Sequence, residues 1–186
     1  MRLHGWICTS MCAVCLTLST VSVAVPIDAG ISGSIYGTVG RRMSIDPLLL
    51  YAVSLTESAY GESRTTVKPN AYAIRTPDGP IYPETLNEAK LALNKAILRY
   101  GPKALDVGLM QINGQHWHRM DKPLYALFNP TYNVTFGASI LQDAMRSTSN
   151  PQLAIGHYHS YTPWRARNYG AKVISVYKNL KKSGIN

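Results

Sequence analysis

Apolar residues recur along this chain with two periods, and the residues that interrupt them mark where elements begin and end. From Leu48 to Leu55 the sequence is almost continuously apolar. Asp46 precedes it as an N-cap able to accept from the unpaired amides of a first turn, and Pro47 fits the first helical position because it has no amide to leave unpaired. This predicts a largely buried helix, with Gly61 as its stop. Leu86, Ala89, Leu93, Ala96, Ile97 and Tyr100 share one helical face, and Gly101-Pro102 ends that element. Asn129-Pro130 opens a helix through Tyr132, Phe136, Ile140 and Met145, and Asn150-Pro151 opens a shorter one toward His157. The last helix runs from about Trp164 to Leu180, with Tyr169, Val173, Val176, Tyr177 and Leu180 facing inward.

Between the first two helices the period shortens. Tyr72, Ile74, Ile81 and Tyr82 flank Thr76-Pro77-Asp78-Gly79, a sequence suited to a type I turn, so a short hairpin is expected. Val25 to Gly40 is small, polar and Gly-rich, and residues 25–43 are assigned to a leader with little structure. The basic tail from Lys178 should fray, with residues 181–186 outside the folded domain. The pattern therefore predicts a mainly α domain over residues 44–180, carrying one small β-hairpin.

The first residues read differently. After Arg2 no charged residue occurs from Leu3 to Ile27, and Ser22-Val23-Ala24 offers a small-x-small cleavage site. The run is about long enough to remain as a membrane anchor. Its many Ser and Thr residues favour instead a signal peptide over residues 1–24 that is cleaved. Cleavage removes Cys8, Cys12 and Cys15, which are all the cysteines, and leaves ten acidic residues against nineteen basic ones less Arg2. A Cys-free basic domain exported from the cytoplasm is the expected product.

Composition narrows the class. At 186 residues and 46% hydrophobic, the chain has room for one cored domain and is not disordered. A disulfide scaffold and a Cys-based zinc site are excluded by the crowding of cysteines at one end. A net charge of +9 points to an acidic partner, with nucleic acid, anionic lipid and cell-wall polymer all open.

Ten carboxylates can be sorted singly. Asp28 falls in the leader, Asp46 is a cap, Asp78 a turn residue, Glu84 and Glu88 lie at a helix start, Asp121 in a loop and Asp143 on a polar face. Glu57, Glu62 and Asp106 remain. Glu57 continues the ladder Leu49, Val53, Glu57, which places it on the buried side near a helix end. A carboxyl there is desolvated, its pKa rises, and it can hold the proton a general acid needs. The alternative is a surface glutamate at a frayed end. Two His-x-His pairs, His116/His118 and His157/His159, interleave Trp117 and Tyr158, which suits aromatic packing or groove lining better than metal binding. No phosphate loop, dinucleotide fingerprint or Gly-x-Ser-x-Gly elbow occurs, and no cofactor is expected. The 12 Tyr, all beyond the exported segment, suit a saccharide groove, although core packing takes most of them.

Three stretches in order then carry a resemblance: Tyr51-Ala-Val-Ser-Leu-Thr-Glu57-Ser58, Asp106-Val-Gly-Leu-Met-Gln-Ile-Asn113, and Asn129-Pro-Thr-Tyr-Asn133-Val-Thr-Phe-Gly137-Ala-Ser-Ile-Leu141. Together they resemble the SLT-type lytic transglycosylases, across roughly residues 44 to 180. The insert before Asp106 and the stretch Tyr158-His159-Ser160-Tyr-Thr-Pro163 resemble versions encoded with conjugation and secretion machinery. The resemblance implies a lysozyme-like α+β fold and cleavage of peptidoglycan between N-acetylmuramic acid and N-acetylglucosamine, leaving 1,6-anhydro ends. It implies that Glu57 performs both proton transfers, that Ser58, Met110 and Gln111 line the groove, and that Asn133 supports the site. Tyr158 takes the place of a family Tyr that faces the acid, although His157-Tyr158-His159 departs from the usual Ala-Tyr-Asn. Glycan strands in the periplasm are the implied partner, with secretion or conjugation proteins beside them and no nucleic acid. Hydrolysis by water on the same fold, and a non-catalytic wall-binding scaffold, are the competing readings. Glu57 should lie at the floor of a groove also touched by Gln111 and Tyr158.

Overall fold

The computed structural model describes residues 28–61 and 67–185, so the expected signal peptide over residues 1–24 and Glu62 lie outside the described residues. Helices α1 (Asp28–Ser32) and α2 (Ile35–Met43) come first. They are followed by α3 (Pro47–Ser58) and the two-residue strands β1 (Ala59–Tyr60) and β2 (Lys68–Pro69), which pair antiparallel. The hairpin β3 (Ile74–Thr76) and β4 (Gly79–Ile81) leads into α4 (Leu86–Tyr100). Strands β5 (Asp106–Val107) and β6 (Ile112–Asn113) complete a four-stranded antiparallel sheet ordered β4-β3-β5-β6. Ile74 sits opposite both Ile81 and Val107 in it, and Val107 opposite Ile112. Helices α5 (Pro130–Arg146), α6 (Pro151–Gly156) and α7 (Pro163–Lys182) close the domain.

The caps act as their residue types dictate. Asp46 accepts from the Leu48 amide, Asn129 from Tyr132 and Asn150 from Leu153, each just before a proline that starts its helix. Gly101 ends α4 at φ +75°, a conformation that costs a residue with a Cβ. Helix α3 is central: Leu48, Leu50, Ala52, Val53, Ser54 and Ser58 are buried, and α2, α7 and the β1–β2 pair pack around it. An apolar core through Leu50, Val53, Leu93, Val107, Ile112, Val134 and Leu141 joins the helices to the sheet. No helix among the described residues is long and apolar enough to cross a membrane.

Four expectations need correction. The segment assigned to an unstructured leader folds as α1 and α2, with Tyr36 and Val39 in the core. Two of the glycines read there as breakers, Gly37 and Gly40, are close-packing points. A Cβ on Gly40 would lie 2.7 Å from the Ile45 carbonyl, and one on Gly37 would strike the Ser32 carbonyl. Helix α3 stops at Ser58, short of Gly61, because the chain turns directly into β1. The hairpin is part of a larger sheet, since β5 and β6 are too short to show a period. The basic tail stays helical as far as Lys182.

Candidate active site

The four residues Gly108 to Gln111 connect β5 to β6, and three separate parts of the chain converge on this loop. Ser58, the last residue of α3, donates its hydroxyl to the Leu109 carbonyl at 2.7 Å. Asn133, on α5 and fully buried, accepts from the Met110 amide at 2.8 Å and donates to the carbonyls of Val107 (3.0 Å) and Leu127 (2.9 Å). Tyr158, just after α6, donates to the Met110 carbonyl at 2.6 Å. The loop's own residues fit this clamp. Gly108 has φ +82°, and a Cβ on it would collide with the Asn133 amide. The Met110 side chain lies over Gly137, where a Cβ would come within 2.6 Å of its sulfur. Gln111 sits at φ +45°, uncommon for a residue with a side chain, and its amide donates to the carbonyls of Ala73 and Gly108. Every polar atom in the clamp that is removed from water therefore has a partner.

In front of the loop lies a groove of about 750 Å³ whose lining includes Glu57, Arg75, Lys103, Asp106, Gln111, His116, Tyr158, His159, Trp164, Arg165, Tyr169 and Lys172. Glu57 enters it from the last turn of α3. Burial is the main cause that lifts its carboxyl from 4.5 to about 7. The hydroxyl of Tyr169, on α7, donates to Glu57 Oε1 at 2.6 Å and opposes that rise, as do the charges of Arg75 and Lys172, while the Asp106 charge adds to it. Burial above all, together with the Glu57 charge, keeps the Tyr169 hydroxyl protonated far above neutrality, so it remains a donor. The His159 ring stacks on Tyr169 with centroids 4.9 Å apart and planes 5° from parallel. Asp106 is held by the Asn113 side-chain amide at 2.8 Å.

The structure thus brings Glu57, Gln111 and Tyr158 to one groove and sends the other expected lining residues elsewhere. Ser58, Met110 and Asn133 are buried at 2%, 0% and 0% exposure and stand behind the loop. The Ser58 and Asn133 side chains are engaged by backbone groups, and the Met110 side chain is packed against Gly137. Tyr158 also differs: its hydroxyl is committed to the Met110 carbonyl, and the tyrosine bonded to Glu57 is Tyr169. The helical period had assigned Tyr169 to the core, where its 9% exposure nearly puts it; periodicity cannot see the one polar atom at the end of the ring. Arg75, Lys103, Arg165 and Lys172 are scattered in sequence and gave no motif. The His-x-His pairs diverge. His116 and His159 face the groove, whereas His118 bonds to the Gln115 carbonyl and His157 to the Ser147 hydroxyl. No cluster able to hold a metal occurs among the described residues.

A half-buried carboxyl near neutral pKa, bonded to one phenol and facing an open groove, can both give and take a proton. Comparison with known proteins gives two kinds of match. The Transglycosylase SLT domain matches residues 36–183. Invasion protein IagB of Salmonella typhimurium (strain SL1344) is 37% identical over 84 residues, 41% of this chain and 52% of that protein. Invasion protein IagB of Salmonella typhi is 36% identical over 85 residues, 41% of this chain and 53% of its own length. The chain spans about half the length of these curated relatives. The domain match, by contrast, begins in α2, takes in the clamped loop and the groove, and runs to the end of α7: the chain belongs to the transglycosylase SLT domain family.

Proposed function

We propose that the protein is a peptidoglycan lytic transglycosylase in which Glu57 is the only acid and base. Protonated Glu57 gives its proton to the oxygen joining N-acetylmuramic acid to N-acetylglucosamine, and the C1–O bond breaks with the proton on the departing 4-hydroxyl. The muramyl 6-hydroxyl oxygen then bonds to C1 and its proton passes to the Glu57 carboxylate. The product is a 1,6-anhydro ring, no water is consumed, and the acid is restored. The observation that carries this reading is the placement of Glu57, which faces the groove from the last turn of α3 with Tyr169 donating to it at 2.6 Å. Burial there lifts its carboxyl to about 7, and a group that must hold and then accept a proton works best with a pKa near the working pH. Tyr169 fixes the carboxyl's orientation and stabilises its ionised form between the two transfers.

Hydrolysis is the second reading, and one observation favours it: Asp106 lines the same groove as Glu57. Most glycosidases use such a pair, one carboxyl as acid and the other as base or nucleophile. Digestion of purified sacculi followed by mass analysis separates the readings. Anhydro ends, lighter by one water than reducing ends, are expected; reducing ends alone would replace the first reading with the second. We further propose that export through residues 1–24 delivers the enzyme to the periplasm, where it opens the wall locally for an envelope-spanning machine, in keeping with relatives named as invasion proteins. Fractionation of cells expressing the full chain tests this, with a shortened protein in the periplasmic fraction as the expected result.

A further inference from the structure

The charge on the groove wall is one-sided. Arg75 on β3, Lys103 after α4, and Arg165 and Lys172 on α7 all line it and are all exposed. The ion pairs among the described residues join Arg99 to Asp78 and Arg119 and Arg146 to Asp143, so none uses these four cations. Among the described residues, two carboxyls line the groove with them. Glu57 holds a proton over much of the neutral range, and Asp106 is already engaged by Asn113. The groove histidines add little positive charge, because burial lowers the pKa of both His116 and His159.

A basic chain carries cations on most faces, and four exposed ones could be solvated like the rest. Their position argues otherwise. Arg75 and Lys172 both pull the Glu57 pKa down, which works against an acid that must be protonated to act. Neutral N-acetylated sugars would leave that opposition in place. An anion bound among the cations would cancel it and would also draw substrate to the groove.

Resting on the transglycosylase reading, we propose that this rim binds the carboxylates borne by muramyl residues, so that the groove selects acidic wall glycan over uncharged N-acetylated glycan. Two sources supply such carboxylates: the stem peptides and, where these have been removed, the lactyl group itself. Their shared chemistry is what Arg75, Lys103, Arg165 and Lys172 recognise.

The test is binding rather than turnover, because changing the rim also changes the proton affinity of Glu57. Glu57→Gln protein is pelleted at pH 7 and low salt with intact sacculi, with sacculi stripped of peptides by an amidase (their glycan strands, no longer cross-linked, being coupled to beads), with sacculi whose carboxylates are capped as methylamides, and with chitin. Binding to intact sacculi should exceed binding to capped sacculi by about tenfold, and added salt should remove the difference. Adding Arg75→Gln, Lys103→Gln, Arg165→Gln and Lys172→Gln should erase that preference, so that the variant binds intact and capped sacculi equally. The pair Arg165→Gln and Lys172→Gln, both on the exposed side of one helix, should erase part of it. Preference retained on stripped sacculi assigns the lactyl group, and preference lost there assigns the stem peptides. Equal binding of the rim-intact protein to intact and capped sacculi overturns the proposal. The unsubstituted protein is incubated with sacculi in parallel. If it cuts nothing, the catalytic reading fails by itself, and the capped-against-intact comparison still decides the rim.

Discussion

The two sides of the Gly108–Gln111 loop are built from opposite materials. Behind it, Ser58, Asn133 and the Met110 side chain are sealed from water, and each polar group is matched to a backbone partner. In front of it, Arg75, Lys103, Trp164, Arg165 and Lys172 are exposed. The residues that carry the family resemblance lie mostly on the sealed side. Much of the motif here holds the loop in place, and the exposed cations of the groove wall belong to no motif. Glu57, Asp106 and Gln111 belong to both sides: motif residues by sequence, groove residues by position.

The largest expected effect tests that double membership. Glu57→Gln keeps the shape and removes the titratable proton, so turnover on sacculi should fall roughly a thousandfold with the fold intact. Near-normal turnover would take the acid out of α3 altogether.

Asn133→Ala probes the sealed side. It leaves the Met110 amide and the Val107 and Leu127 carbonyls without their partner in a dry site, which should cost about 3 kcal/mol and lower Tm by roughly 6–12 °C. Arg165→Gln on the open side should change Tm by less than about 2 °C. Similar losses from both would erase the distinction between the two sides.

Tyr169→Phe sharpens the position of Glu57. The Tyr169 hydrogen bond favours the ionised carboxyl and holds its pKa down, so losing it should raise the value above about 7. An acid that must be protonated loses activity as pH rises through its pKa. The alkaline limb of kcat/KM should therefore lie near pH 7 in the parent and move up by about one unit in the variant, with a partial loss of kcat. A downward move would show that the phenol does not bond to the acid.

The smallest effect is expected from Asp106→Asn. The Asp106 charge raises the Glu57 pKa, so its removal should shift the same limb slightly downward and cost less than about tenfold in rate. Complete loss of activity would instead assign Asp106 a chemical step and support hydrolysis.

What the chain discloses of itself follows the same division. Caps are local, and Asp46-Pro47, Asn129-Pro130 and Asn150-Pro151 each start a helix where their chemistry says. The ladder Leu49, Val53, Glu57 could be read because a helix repeats regularly, and Glu57 does leave α3 toward the groove. Strands of two residues have no period to read, so β5 and β6 were invisible. Gly37 and Gly40 carry the same letter whether they break a helix or let another segment touch it, and only the Ile45 and Pro47 atoms packed against Gly40 distinguish the cases. The roles of Ser58 and Tyr158 depend on carbonyls 51 and 48 positions away in the sequence, a pairing no local pattern encodes.

Helix α7 grips α3 at both ends. The Tyr177 hydroxyl donates to Asp46 Oδ2 at 2.7 Å, beside the cap, and Tyr169 reaches Glu57, across 131 and 112 positions of sequence. During synthesis, then, Glu57 leaves the ribosome long before the helix that walls it in. Until α7 docks, the carboxyl stands in water near its usual value of 4.5 and is ionised at neutral pH, with no proton to give. A nascent or clipped chain lacking α7 should therefore hold an ionised Glu57 at neutral pH, and the proposed acid is completed only by the final stretch of folding.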